Sequence, residues 1–102
     1  MNLTLLGRNI DVISMAPNDL EVISNQKGCL GYFDGTHIYL SSLLTGDEYS
    51  RVLVHEACHA IFAVSGLTNL LDDNLEEALC DALEGLIQCQ HILSNVKTVK
   101  EL

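Results

Sequence analysis

The sequence predicts an α+β fold in which a small antiparallel sheet with a hairpin packs against two main helices. Three observations carry this prediction: loose apolar alternation near the N-terminus, a turn dipeptide between two strand-like runs, and two long helical stretches. Strand signals come first and helical signals follow, an order that is typical of α+β domains. With 102 residues, the chain is expected to form a single domain, 1–102.

The N-terminal residues predict one or two short strands that turn near Gly7-Arg8-Asn9. Apolar side chains alternate loosely here, at Leu3, Leu5, Ile10 and Val12. A short helix is then predicted from Pro17 to about Asn25, because the fixed φ angle of proline suits a first helical turn.

Asp34-Gly35 predicts the turn of a β-hairpin. The dipeptide accepts the positive φ angles that a tight primed turn requires, and it separates strand-like runs at 29–33 and 36–41. In the second run, Ile38 and Leu40 alternate with more polar residues, which is the pattern of a half-buried strand.

The first main helix is predicted from about Gly46 to Val64. Thr45 or Asp47 can cap its N-terminus, where acidic residues also suit the positive end of the helix dipole. Ser65-Gly66 is expected to end the helix, since glycine readily adopts the left-handed conformation found there.

The second main helix is predicted from Asp72-Asp73 to about Leu93. Asp73, with Glu76 three residues further on, resembles a capping box in which two side chains bind backbone N–H groups of the first turn. The residues from Ser94 onward, about 94–102, are expected to form a frayed tail.

The charge balance argues against nucleic acid as a partner. The net charge is −9 with only five Lys plus Arg, so a phosphate backbone would be repelled. The N-terminus lacks the features of a signal peptide, and the longest apolar stretches are far below the roughly 18 residues of a membrane span. A cytoplasmic protein without membrane contact is therefore expected.

The cysteines are expected to be reduced thiols. They show no C-x-x-C spacing, and four free thiols suit a reducing compartment: Cys29, Cys58, Cys80 and Cys89. Small buried hydrophobes are the usual role of such residues. A structural zinc site that combines Cys58 and Cys80 with two histidines is the alternative, since thiolates bind zinc strongly.

The run His55-Glu56-Ala57-Cys58-His59 carries the strongest chemical signal. On a helix, residues four apart share one face, so both imidazoles can occupy two corners of a zinc tetrahedron. Glu56 lies about 100° round the helix from His55, where it can reach the open side of the metal without being a ligand. This arrangement predicts zinc held by His55 and His59, with Glu56 as the base that takes a proton from the activated water.

A zinc hydrolase requires a third protein ligand. The extended pattern H-E-x-x-H-x-x-G-x-x-H is excluded, because Phe62 and Ser65 occupy its glycine and third histidine positions. The remaining candidates lie in the second predicted helix, with the last of them further along it: Glu76, Glu77, Cys80, Asp81, Glu84 and His91.

Glu77 is the favoured ligand, since Glu77 and Asp81 share one helical face. One carboxylate can bind zinc while the other accepts a hydrogen bond from the ring N–H of a ligating histidine. Glu76 is the rival, because it lies at the edge of the apolar arc of this helix and so is expected to be more buried. The residues of this arc are Leu75, Leu79, Ala82, Leu83 and Leu86. Helical phase alone does not choose between them.

The combination of H-E-x-x-H with E-x-x-x-D on the next helix resembles the gluzincin branch of zinc peptidases. The matching residues are His55, Glu56, His59, Glu77 and Asp81. The short spacing is similar to that of small ImmA/IrrE-type and phage-encoded metallopeptidases, over roughly residues 29–87. This resemblance implies a minimal zincin-like fold and endopeptidase activity. It also implies an edge strand before the helix of the motif, at Thr36–Ser41, that holds an extended peptide.

The sequence thus predicts a zinc metallopeptidase whose partner is a peptide or protein substrate. Glu56 takes the proton of the attacking water and passes it to the leaving amine. The alternative is a non-catalytic protein-binding module on a zincin scaffold, such as a phage or mobile-element interaction protein, for which the acidic surface suits a basic partner. The carboxylate of Glu56 distinguishes the two, because a binding module does not require a base.

Overall fold

A four-stranded mixed sheet and three helices make up the computed structural model, which describes residues 1–86. The α+β prediction is therefore confirmed. The strands are β1 (Asn2–Leu5), β2 (Arg8–Met15), β3 (Gly31–Phe33) and β4 (His37–Ser41).

The helices begin close to the predicted positions. They are α1 (Pro17–Ser24), α2 (Gly46–Ser65) and α3, which is helical from 73 to the last described residue, 86. A short 3-10 turn, Leu67–Asn69, connects α2 to α3. The predicted continuation of the last helix to Leu93 and the predicted tail at 94–102 lie outside the described residues.

The sheet is not wholly antiparallel, contrary to the prediction. Its strand order is β1-β2-β4-β3, and β2 pairs with β4 in parallel, from Asp11 opposite His37 to Met15 opposite Ser41. Parallel pairing requires a crossover of a dozen or more residues. Residues 16–36, which contain α1 and β3, supply that length. The connection therefore allows β2 and β4 to run in the same direction.

The edge of the sheet next to α2 is also not the expected one. The segment Thr36–Ser41 contains β4, which is central because β2 pairs on one side of it and β3 on the other. The edge strand is instead β3, Gly31–Phe33, the first strand of the predicted hairpin. Strand β2 pairs along the edge of β4 for which the local sequence patterns predicted no partner.

The hairpin turn differs in its details from the prediction. Asp34 and His37 form the closing backbone pair, and the positive φ angle of 104° lies at Gly35, the first of two central residues. Oδ1 of Asp34 accepts hydrogen bonds from the backbone N–H groups of Thr36 (2.8 Å) and His37 (2.7 Å). Asp34 therefore stabilises the turn through its side chain, as an Asx-turn residue, and is not a central residue.

The main core lies between the sheet and α2. Burying each of its large apolar side chains contributes roughly 1.5–3 kcal/mol. Alternation along β4 turns His37 and Tyr39 to the opposite face of the sheet from Ile38 and Leu40. The fully or nearly buried members of the core are Ile10, Val12, Ile38, Leu40, Leu44 and Ala60.

Candidate metal centre

Helix α2 presents His55 and His59 side by side on one face. The two ring centroids are 5.0 Å apart, and the rings meet edge to face. Both side chains are largely buried, with 16% and 18% of their surface exposed. A four-residue separation on a helix produces this pairing directly, as the sequence predicted.

Helix α3 brings Glu77 to both histidines. Its Oε1 lies 2.7 Å from Nε2 of His55, and its Oε2 lies 2.9 Å from Nε2 of His59. The structure thus gathers the three predicted ligands His55, His59 and Glu77, with one donor atom from each within 4.8 Å of the others.

The donor set suits zinc. Two imidazole nitrogens and one carboxylate oxygen form a common three-ligand set of catalytic zinc sites, which leave the fourth position open. At zinc–ligand distances of about 2.0–2.1 Å, tetrahedral ligand atoms lie roughly 3.3 Å apart. The Nε2–oxygen distances of 2.7 and 2.9 Å, each to a different oxygen of Glu77, are shorter than this, so the side chains would have to separate to admit an ion.

Glu76, the rival ligand, contacts the other nitrogen of His59. Its Oε2 lies 2.6 Å from Nδ1 of His59, and its Oε1 accepts a hydrogen bond of 2.7 Å from Oγ1 of Thr68. Burial raises the pKa of Glu76, but the hydrogen bonds from Thr68 and His59 outweigh burial and lower it overall. Glu76 is more buried than Glu77, as expected, since 15% of its side chain is exposed against 54% for Glu77.

The capping box predicted from Asp73 and Glu76 does not form. Asp72 caps α3 instead, because its Oδ1 accepts a hydrogen bond of 2.7 Å from the backbone N–H of Leu75. The carboxylate of Glu76 points towards Thr68 and His59, where it meets a better donor than an exposed backbone N–H group.

Nδ1, the second ring nitrogen of His55, also lies close to carboxylates. Nδ1 of His55 lies 3.3 Å from Oδ1 of Asp81 and 3.3 Å from Oε2 of Glu84. Asp81 is 66% exposed, whereas Glu84 is 16% exposed and pairs through Oε1 with Nε of Arg51 at 3.6 Å. Burial would lower the pKa of His55, but the neighbouring charges of Glu77 and Glu56 raise it overall.

Glu56 is buried beside the three candidate ligands without belonging to their group. Only 9% of the residue is exposed. Burial raises the pKa of its carboxyl group, and the nearby His59 and His55 only partly offset this effect. Strand β3 approaches closely here: a Cβ atom at Gly31 would lie 3.0 Å from Cγ of Glu56 and 2.7 Å from Cγ1 of Val52.

These groups line a cleft of about 860 Å³ between β3, α2 and α3. Its walls include residues 28–35 around the edge strand, together with His55, Glu56, His59 and Glu77. His37 and Tyr39 project from the other face of the sheet. The arrangement offers a peptide-sized space beside a possible ion and a buried carboxylate.

Cys58 and Cys80 do not join the candidate metal centre. Cys58 and Cys80 are buried with Phe62 in a small cluster between α2 and α3. Burial raises the pKa of both thiols, that of Cys80 to about 12, so they are protonated at neutral pH. Among residues 1–86, the groups suited to a metal contain histidine and carboxylates but not cysteine, which disfavours the alternative thiolate site.

Sequence reasoning missed two residues that contact the carboxylates around the histidines. Thr68 contacts Glu76, and Arg51 contacts Glu84. Arg51 lies one turn before His55 on α2, so helical spacing was a signal for its position. Thr68 lies in the connection between the helices, where the sequence carries no periodic pattern from which its contact with Glu76 can be deduced.

Comparison of the chain with protein-family models, with curated proteins and with solved structures gave no match. The resemblance to gluzincins therefore stays a prediction from the motif residues. Within residues 1–86, no helix combines the length and the apolar character needed to cross a membrane.

Proposed function

We propose that the protein is a zinc-dependent metallopeptidase of minimal zincin-like form. The observation that carries the proposal is the convergence of Nε2 of His55 and Nε2 of His59 on the carboxylate of Glu77, beside the buried Glu56. Buried carboxylates and paired histidines are costly to arrange without a function, because each charge must be compensated.

The proposed chemistry assigns separate roles to these residues. His55, His59 and Glu77 would hold the ion, which when bound would polarise the scissile carbonyl and lower the pKa of a water molecule. Glu56 lines the cleft next to the ligands, and accepts the proton of the attacking water. It then passes that proton to the amine that leaves, so the carboxylate is regenerated at the end of each cycle.

The edge strand β3 supports a peptide as substrate. Leu30 accepts one backbone hydrogen bond from β4 and Asp34 donates one to it, so alternation turns the backbone groups of Gly31 and Phe33 away from β4. The carbonyl of Gly31 accepts a hydrogen bond of 2.9 Å from Sγ of Cys29, whereas the N–H of Gly31 and the backbone groups of Phe33 suit pairing with an extended peptide in β-augmentation. Because Gly31 packs against Glu56, a peptide added to β3 would run close to the proposed base.

A reducing compartment such as the cytoplasm suits this protein. The three cysteines in the described part of the chain, Cys29, Cys58 and Cys80, are unpaired. Expression of a tagged protein in its host and separation of the cell compartments test this location directly.

Metal content and peptidase activity of purified, untagged protein test the proposed function. We expect about one zinc per chain by mass spectrometry, lost in His59→Ala and Glu77→Ala but retained in His37→Ala, a matched control on the opposite face of the sheet. Glu56→Gln should retain zinc and lose 100-fold or more of the turnover of a peptide library, on the order of a general-base contribution.

The outcomes separate the peptidase from a binding module. Zinc in the wild type together with full activity in Glu56→Gln would remove Glu56 as the base. Zinc without cleavage of any peptide would favour the non-catalytic module, for which the net charge of −9 suits a basic partner. A wild type that takes up no zinc, even when zinc is supplied, would reject the metallopeptidase.

A further inference from the structure

We propose that Glu76 is a positioning residue that fixes the ring of His59 for metal binding, and that Thr68 in turn holds Glu76. The inference rests on the proposed metal site and assigns to it two residues that the motif does not contain. It starts from the two nitrogens of His59, which contact different carboxylates: Nε2 meets Glu77 at 2.9 Å and Nδ1 meets Glu76 at 2.6 Å.

The tautomer of His59 is the first quantity that this contact controls. An imidazole that binds a metal through Nε2 carries its proton on Nδ1 and requires an acceptor there. A carboxylate 2.6 Å from Nδ1 is a strong, charge-assisted acceptor that favours this tautomer. Nε2 is then the nitrogen left to bind an ion, and it lies on the side of Glu77, where the ion is expected.

The orientation of the His59 ring is the second quantity that the contact with Glu76 controls. A carboxylate can orient a ring only if it is itself fixed, and Glu76 is largely buried, with 15% of its side chain exposed. Its second oxygen accepts a hydrogen bond of 2.7 Å from Oγ1 of Thr68, a residue of the 3-10 turn Leu67–Asn69. Glu76 is thus held from both sides, by α2 through His59 and by the connection through Thr68.

The contacts of His55 are weaker and serve as a comparison. Its Nδ1 lies 3.3 Å from both Asp81 and Glu84, so two carboxylates share the position, neither at short distance. Asp81, which the resemblance matches to the family pattern, is 66% exposed. We therefore expect loss of Glu76 to disturb the ion more than loss of Asp81.

Zinc affinity, measured by competition with a chromophoric chelator, tests the inference. We expect Glu76→Gln to weaken binding by about 10–100-fold, the usual effect of losing a partner of a metal-ligating histidine, and Glu76→Ala to weaken it further. Thr68→Val, which keeps the shape of the side chain but removes the hydroxyl group, should weaken binding severalfold. Asp73→Asn is the matched control, since it removes one negative charge from the same first turn of α3.

The absorption spectrum of the Co²⁺-substituted protein supplies a readout that a merely structural role would not change. We expect Glu76→Gln and Thr68→Val to shift the visible bands of bound Co²⁺, because the orientation of His59 changes, while Asp73→Asn leaves them in place. Circular dichroism should show wild-type helix content in all of these variants.

The results distinguish failure of the inference from failure of the proposed function. If the wild type binds zinc and both Glu76→Gln and Thr68→Val match Asp73→Asn in affinity and spectrum, the inference is overturned and the metal site stands. If Glu76→Ala loses the ion completely while Glu77→Ala keeps it, Glu76 is a ligand and the positioning role is overturned. A wild type without affinity for zinc overturns both.

Discussion

At the scale of single residues, His59 is the clearest example of what helical phase leaves open. Glu76 and Glu77 are neighbours on α3, about 100° apart, and both were candidates for the third ligand. The contacts separate them, because each carboxylate meets a different ring nitrogen of His59. A one-dimensional pattern contains no information about which nitrogen a side chain reaches.

Gly31 yields a prediction at the same scale. We expect Gly31→Ala to lower the free energy of unfolding by about 1–3 kcal/mol, a typical cost of overpacking. The reason is that the added methyl group would lie 2.7 Å from Cγ1 of Val52 and 3.0 Å from Cγ of Glu56. Turnover should fall more than zinc affinity, since the displaced Glu56 is the proposed base and not one of the proposed ligands. Urea denaturation and steady-state kinetics measure the two effects.

Gly85→Ala is the control for this prediction. Gly85 lies in α3 with no atom within 4 Å of a new Cβ atom, so the same change should raise stability by up to about 1 kcal/mol, the usual gain from replacing a helical glycine. Equal effects of the two substitutions would show that the close approach of β3 to α2 is not tightly packed.

At the scale of elements, α3 packs in an unusual orientation. Its acidic side faces α2, where Glu76, Glu77 and Glu84 meet the two histidines, and Cys80 is fully buried. The apolar arc that the sequence outlines is more than one-third exposed at Leu75, Leu79, Leu83 and Leu86. Periodicity thus identifies the two faces of a helix, whereas the available partners decide which face packs.

The turn of the hairpin yields a prediction of pH dependence. Burial raises the pKa of Asp34, but hydrogen bonds from the backbone N–H groups of His37 and Thr36 outweigh it and lower the pKa from 3.8 to about 2. A lowered folded-state pKa stabilises the protein above pH 3.8 and loses that effect as the pH falls towards 2. The side chain is 30% exposed, so we expect roughly 1–2 kcal/mol.

Urea denaturation of the wild type and Asp34→Asn measures this effect. The gap in the free energy of unfolding should be largest near neutral pH and should narrow as the pH falls through about 4 towards 2. Asp19→Asn, in the first turn of α1, is the control. A gap between the wild type and Asp34→Asn that stays constant over this range would contradict the assignment of the lowered pKa to the turn.

At the scale of the whole molecule, the concentration of negative charge around the two histidines predicts that a bound cation stabilises the fold. The chain carries a net charge of −9, and five carboxylates surround the two histidines: Glu56, Glu76, Glu77, Asp81 and Glu84. We expect zinc at a hundred times its dissociation constant to stabilise the protein by about 2.7 kcal/mol. In a domain of this size, that raises the melting temperature by roughly 10 °C or more.

Thermal unfolding of metal-free protein, with and without added zinc, checks this prediction. His59→Ala should show little or no increase in melting temperature, because it removes a ligand and keeps the acidic surface. Equal increases in the wild type and His59→Ala would mean that zinc binds the acidic surface nonspecifically. Magnesium at the same concentration is a further control, since it prefers a full shell of oxygen ligands.

Local sequence patterns predicted most of the helices and strands and the placement of the motif histidines, whereas the zinc chemistry of the motif stays a prediction. Apolar periodicity and turn residues are local properties, so the strands, the hairpin and the starts of the helices followed from short windows of sequence. The i, i+4 spacing placed His55 and His59 together for the same reason. Glu77 followed less directly, from its position on the next helix beside a second carboxylate.

The contacts between distant segments are seen only in the tertiary structure. The parallel pairing of β2 with β4, the edge position of β3 and the inward acidic face of α3 all depend on contacts between residues far apart in the chain. Thr68 reaches Glu76 only because the connection folds back over the first turn of α3. Such contacts are set by the packing of whole elements, which no local pattern encodes.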